Sequence, residues 1–231
     1  MRSELNIWDH SRQLLELLSA RGADRAPEMD SSAQGAELLA PFAAALKSPR
    51  LLDVGCGGGH FYHSLKRRGL SADYFGLDSS RQAVRTARAA FETLGLDRGR
   101  IILGRVEDLF GLEFDLAVII NTMTFCADFR QPLDRIIDTG VRAVVIRDNF
   151  GPETEIRWEP DGFLDEGFNH LCGYWNRWSE AAVADFFSQR GFATKKVMDN
   201  RTKGQMELVV NKPYYWSWLL AWRRLAFENY R

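Results

Sequence analysis

The sequence predicts an α/β fold in which a mostly parallel sheet carries helices on both faces. Three observations support this. Short apolar runs alternate with helically periodic segments from residue 50 onward. The first such run opens into a glycine-rich turn, "LLDVGCGGGH" at 51–60. The 231 residues, 45% of them hydrophobic, suffice for one sizeable domain with small additions.

The elements follow in order. The first fifty residues read as helical, with Ile7, Leu14, Leu15 and Leu18 able to share a face. "GADRAPEMDSSAQG" breaks that pattern, and a helix resumes from Ala36 to Leu46. "RLLDV" is a first strand, followed by the turn and a helix from about His60 to Arg68. "ADYFGLD" is a second strand. Ser80 to Leu94 is the clearest helix, with Ala83, Val84, Ala87, Ala90 and Phe91 at helical spacing. "RIILG" and "FDLAVIIN" are the third and fourth strands, Pro132 to Thr139 a helix, and "RAVVIRD" a fifth strand. Asn149 to Trp178 is long and irregular, which in a compact domain points to function. Ser179 suits the N-cap and Gly191 the C-cap of one more helix. "ATKKVMD" and "QMELVVN" then read as a terminal antiparallel hairpin.

Composition excludes several classes. Thirty basic and 31 acidic residues leave a formal net charge of -1, so no global attraction to nucleic acid or acidic membranes is expected. Cys56, Cys126 and Cys172 are odd in number and widely spaced, which indicates neither a disulfide framework nor a metal site. The first segment lacks the uninterrupted apolar core of a signal peptide, and no run reaches the length of a membrane span. A reducing cytoplasm is the expected setting.

A strand, a glycine turn and a helix make a corner that accepts anions or nucleotides, because bare backbone and free N–H groups meet there. A triphosphate loop needs a lysine that is absent here. A dinucleotide turn needs a third glycine where His60 stands. The pattern Asp53-x-Gly55-x-Gly57-x-Gly59 resembles motif I of class I S-adenosylmethionine-dependent methyltransferases. Asp78 at the end of the second strand, the "FD" opening of the fourth strand and the terminal hairpin resemble the same family. "FNHLCGYWNRWSEAAVADFFSQRGF" resembles its ubiquinone-biosynthesis-like, small-molecule branch.

The resemblance implies a Rossmann-like, seven-stranded sheet over 48–212, with an N-terminal helical cap over 1–47. It implies S-adenosyl-L-methionine as cofactor, held by Asp53, the turn at Gly55, Cys56, Gly57 and Gly59, Asp78 with Ser79, Val106, Glu107 and Asn121. The acid at 78 would take the ribose hydroxyls. One departure stands out: "GRVEDL" places Arg105 where members often carry an acid for the adenine amino group. Val106 can still offer its backbone, and the acceptor becomes Glu107, Asp108 or a carbonyl.

Methyl transfer is an in-line displacement, so alignment and exclusion of water matter most. The expected enzyme is a methyltransferase acting on a small-molecule O or N nucleophile. A non-catalytic cofactor sensor or partner subunit on the same fold is the alternative. The loop after Asn149 is expected to form the acceptor pocket, with Trp158, Tyr174, Trp175 and Arg177 binding substrate. His170 there is the candidate base, since histidine titrates nearest neutral pH. Arg147 and Asp148 end the fifth strand, a position close to the pocket, though surface solvation explains them equally well. The aromatic segment 213–231 reads as a C-terminal helix, apolar on two sides, that packs on its own domain or across a homodimer.

Overall fold

The computed structural model describes residues 6–227. A short 3-10 helix at Ile7–His10 leads into α1 (Arg12–Gly22) and α2 (Asp30–Ala44). Then come β1 (Arg50–Val54), α3 (Phe61–Arg67), β2 (Asp73–Asp78), α4 (Arg81–Thr93), β3 (Ile101–Leu103), β4 (Leu116–Ile120), α5 (Arg130–Asp138) and β5 (Ala143–Gly151). The chain continues through β6 (Trp158–Pro160), β7 (Cys172–Tyr174), β8 (Trp178–Ser179), α6 (Glu180–Ser188), β9 (Phe192–Met198), β10 (Glu207–Val209), β11 (Lys212–Tyr214) and β12 (Trp216–Arg223).

The main sheet runs β3-β2-β1-β4-β5-β12-β9. Its first five strands are parallel, and β12 is antiparallel to both neighbours. Side chains alternate across it, as period-two geometry requires. Leu52, Ala117, Val144, Ile146 and Leu219 face α5 and α6, while Leu51, Val118, Val145, Trp218 and Leu220 face α2, α3 and α4. The reversal between β1 and β4 makes a topological switch point, so ligands are expected at the C-terminal strand ends there.

Capping follows the sequence. Ser80 accepts from Ala83 N–H at the start of α4, and Ser179 from Ala182 N–H at the start of α6. The break expected before Ala36 ends earlier, because α2 already begins at Asp30. Its polar first turns face inward with partners in place. Gln34 donates to the Met198 carbonyl (2.7 Å) and accepts from the Trp218 indole (2.8 Å) and Asn200 N–H (2.9 Å). Gly35 admits Trp218, whose ring would stand 2.9 Å from any Cβ placed there.

The larger correction concerns the aromatic segment. Residues 216–223 form a strand, not a helix, and they are the strand that lies between β5 and β9. "QMELVVN" does not pair with β9; β10 instead pairs with β11 in a separate small hairpin. The physical reason is burial on both faces. Trp216 through Trp222 are all buried, with successive side chains entering opposite cores. A doubly buried strand lacks alternation and reads like a buried helix. The expected homodimer surface on a C-terminal helix is removed with the helix. Residues 228–231, Arg231 among them, lie outside the described residues.

Deleting residues 216–231 therefore leaves β5 and β9 without their shared partner. We expect the truncated chain to aggregate and lose its cooperative thermal transition by circular dichroism. A soluble, cooperatively folding remainder would contradict this architecture.

Candidate active site

β1 delivers the chain into a turn that only glycine tolerates. Gly55 and Gly57 have φ of +73° and +53°. A Cβ on Gly55 would also lie 2.3 Å from Thr122 Oγ1, which itself donates to the Val54 carbonyl at 3.2 Å. The N–H groups of Gly55 and Cys56 both donate to the Leu77 carbonyl (2.8 and 3.1 Å), which ties the turn to β2. Cys56 is buried with a free thiol, pushed up by burial, and so is packing rather than a nucleophile.

The acid at the end of β2 closes the other side. Asp78 accepts from Gly57 N–H and from Ser80 N–H, both at 2.9 Å. A carboxylate offers about four acceptor positions, so capacity remains for a vicinal diol. Burial, partly offset by these bonds, raises its pKa. Asp53 is buried one strand away, where the Tyr74 hydroxyl donates to it at 2.6 Å. Burial, opposed by the Tyr74 bond and aided by Asp78, pushes Asp53 up to about 7. Asp53 thus acts through the framework beneath the turn.

The N-terminal segment crosses above these strand ends. Asn6 donates to Ser79 Oγ at 2.9 Å, and Asp9 accepts from Ser80 Oγ (2.5 Å) and Gln82 N–H (3.1 Å). Ser11 Oγ reaches the Phe163 carbonyl at 2.6 Å. Leu18 of α1 rests on the turn, 2.8 Å from where a Gly57 Cβ would be. From Asn6 onward the described residues lie over these strand ends, held at Ser79, Ser80 and Gln82 after β2 and at Phe163 in the 161–168 loop.

At the third strand, Val106 opens a 3-10 helix, a position whose N–H lacks an intrahelical partner. Asp108 accepts from Arg105 N–H at 2.9 Å, which ties its side chain to the start of this 3-10 helix.

Asn121 follows β4 with φ +57°. Its carboxamide oxygen accepts from Arg147, whose Nε donates to Asp199 at 2.6 Å. Arg147 and Asp148 are 2% and 0% exposed, so solvation does not account for them. Asp148 accepts from Met123 N–H (2.7 Å) and Asn149 N–H (2.8 Å), fixing the loop after β4. Burial, opposed by these bonds, pushes its carboxyl up to about 6. Sequence reading missed both roles, because it ended the strand at Asp148, whereas β5 runs on to Gly151 and encloses both residues.

The loop residues expected at the acceptor scatter. Trp175 is buried, at the C-terminal strand ends beside Phe125 (ring centroids 5.3 Å). Trp158 is 60% exposed and meets Tyr174 edge-on at 4.7 Å across the β6–β7 hairpin. Arg177 pairs with Glu155 at 3.0 Å and leans over Tyr215. His170 is exposed on the β6–β7 connection, and the structure does not bring it together with the buried groups. Two residues that sequence reading missed are buried here: Tyr214, 6.4 Å from Trp175 between ring centroids, and Asp161, within electrostatic reach of Tyr214 and of Lys212, whose ammonium lies 4.5 Å over the Trp175 ring. Among the described residues no cluster of metal-ligating side chains occurs, and no helix is long and apolar enough to cross a membrane.

Residues 46–149 match a family model described as a methyltransferase domain. That stretch therefore resembles a methyltransferase domain, and the sheet order places the glycine turn at the switch point beside it. Among curated proteins, it is 39% identical over 90 residues to the ubiquinone biosynthesis O-methyltransferase of Neisseria meningitidis serogroup C, covering 37% of each chain. It is 29% identical over 136 residues to the enzyme of that name from Sinorhizobium fredii, covering 51% of this chain and 52% of that one. The matches thus span about half or less of those relatives. Among solved structures, magnesium protoporphyrin IX methyltransferase from Synechocystis PCC 6803 with bound S-adenosylmethionine superposes with a TM-score of 0.60 at 15% identity. That likeness covers 96% of this chain and 100% of the other. A methyltransferase from Clostridium acetobutylicum gives 0.56 at 13% identity, covering 87% and 94%. These likenesses are to the fold.

The raised pKa of Asp53 has a defined consequence for stability. A carboxyl whose folded pKa exceeds its unfolded value binds more protons folded than unfolded. Its contribution is complete below about pH 4 and is lost as pH rises through about 7. Asp53→Asn keeps an acceptor for Tyr74 and removes this titration. We expect its Tm, relative to the unsubstituted protein, to improve steadily from pH 5 to 8. A constant difference across that range would refute the assignment.

Proposed function

We propose that the protein transfers a methyl group from S-adenosylmethionine to a hydroxyl of a small molecule. The observation that carries this reading is the Gly57–Asp78 contact, which sets a bare turn against a carboxylate with acceptor capacity to spare. The match of residues 46–149 to a methyltransferase domain supports the donor. The two O-methyltransferase relatives support an oxygen acceptor.

Asp78 would hold the ribose, the turn would lie under the methionyl part, Asn121 would face its amino-acid end, and Val106 with Glu107 would meet the adenine. Bound there, S-adenosylmethionine supplies a methyl carbon on a sulfonium, and the broken C–S bond leaves its electron pair on sulfur. The chain contributes alignment: Asp148 fixes the loop after β4, Arg147 fixes Asn121, and the segment from Asn6 to Gly22 covers the strand ends against water. A net charge of -1 favours a small molecule over nucleic acid as acceptor. Three cysteines without a disulfide suit a reducing cytoplasm.

Calorimetry with S-adenosylmethionine and S-adenosylhomocysteine tests the donor. Binding of both is expected, and binding of neither would end this reading. Asp78→Asn removes charge from the ribose contact and should weaken S-adenosylhomocysteine roughly 10- to 100-fold, the worth of charge-assisted bonds. Unchanged affinity would remove Asp78 from the site. Incubation with labelled donor and a panel of phenols and alcohols should give labelled ethers. Binding without turnover would favour a sensor instead.

A further inference from the structure

The chain has four histidines, and their surroundings differ sharply. His63 is buried and bonded through Nε2 to the Gly22 carbonyl at 2.8 Å. His170 is exposed. His60 has an unpaired, buried Nδ1, but burial, the Arg21 guanidinium and His63 push the ring down to about 4, so a proton there is opposed. His10 remains. Its Nε2 is buried and has no hydrogen-bond partner. Buried polar atoms are nearly always paired, so this nitrogen indicates a group that pairs with it.

The neighbours of His10 place it. Asp9, one residue before, accepts from Ser80 Oγ (2.5 Å) and Gln82 N–H (3.1 Å) after β2, and its charge acts on Asp78. Trp8, two residues before, meets Phe125 edge-on at 4.8 Å, in the loop after β4. Strands β2 and β4 are the two neighbours of β1, so the 3-10 helix at Ile7–His10 spans the end of the strand that feeds the glycine turn. The His10 ring lies flat on Phe168, with centroids 4.1 Å apart and planes 14° apart. Its carbonyl accepts from Asp165 N–H at 2.8 Å. Ring and backbone are thus both held. The charged groups beside it are engaged elsewhere: Asp9 as above, Asp165 with Arg12 N–H (3.0 Å), and the Arg12 guanidinium with Glu16 (2.9 Å). Residue 10 also lies outside the stretch 46–149 that matches a methyltransferase domain.

Resting on the methyltransferase reading, we propose that His10 Nε2 is the general base that takes the proton of the acceptor hydroxyl. Its lone pair accepts that proton as the oxygen bonds the methyl carbon of S-adenosylmethionine. The C–S bond breaks and its electron pair stays on sulfur. The products are a methyl ether, a neutral thioether and an imidazolium, which then gives its proton to water. Histidine suits the task because its neutral and charged forms are both accessible near neutral pH. Because the base sits on the N-terminal segment, it reaches the reacting atoms only when Asn6 and Asp9 have fastened that segment at Ser79 and Ser80.

NMR titration of the full chain with 15N-labelled histidine rings reads the placement, His10 being assigned by its loss in His10→Gln. The titration is run with saturating S-adenosylhomocysteine and again with S-adenosylmethionine, which differ by one methyl group and one positive charge. A base facing the methyl carbon feels that charge. The His10 midpoint should therefore fall by at least about half a pH unit with S-adenosylmethionine, and that of exposed His170 by less than about 0.1. His10→Gln should also lower turnover of any phenol or alcohol that the unsubstituted protein methylates by at least about 100-fold, with KM for S-adenosylmethionine kept within about twofold. The titration decides the matter where no such acceptor is found. Equal His10 midpoints in the two complexes, or unchanged turnover in His10→Gln, overturn the base. Failure of the two adenosyl compounds to bind the unsubstituted protein overturns the methyltransferase reading instead.

Discussion

The insertion of β12 between β5 and β9 is the constraint on which the rest depends. Among the described residues it supplies the only antiparallel strand of the main sheet's path, and it buries seven consecutive residues, three of them tryptophans. Full burial of one such side chain contributes about 1.5–3 kcal/mol, and the side chains of this one strand enter the cores on both faces of the sheet. It also fixes where the preceding excursion must return. Residues 199–215 leave β9 and re-enter at β12, and that return carries Tyr214 to the C-terminal strand ends.

The Arg147–Asp199 pair anchors the start of that excursion. Burial alone would raise Asp199, but the Arg147 bond and charge, with Thr202, hold it below the usual carboxylate range. A buried ion pair adds little net stability, yet losing one partner strands the other, at a cost of about 3–5 kcal/mol. Its value here is positional. Arg147 also fixes Asn121 and lies over the Trp216 ring, so one guanidinium coordinates the loop after β4, the excursion and the last strand.

Much of the glycine turn and its flanking strands could be read in the sequence, because they depend on local signals. A turn that needs positive φ demands glycine, a strand end shows its acid, and caps show serine. Strand β1, the turn, β2 and α4 fall where the residues place them. The loops around Trp175 depend on long-range contacts and were largely hidden. Asp161 and Tyr214 are ordinary residues until the chain brings them together, and His170 looked chemical but is exposed. The segment at 216–223 misled for a specific reason: a strand buried on both faces has no alternation, and tryptophan spacing then suggests a helix. Gln34 showed the reverse error, a polar residue read as loop that is a helical core bond to β9 and β12.

The placement of β12 also governs how the chain can be made. Synthesis delivers β5 some seventy residues before its partner at 216–223, and β9 emerges with no neighbour at all. Until residue 223 has left the ribosome, β5 presents an open edge, apolar from Ala143 to Ile146, the kind of template that captures other chains. The nascent protein therefore waits in an adhesive state, and conditions that slow elongation should lower its soluble yield more than they lower that of proteins whose sheets close early.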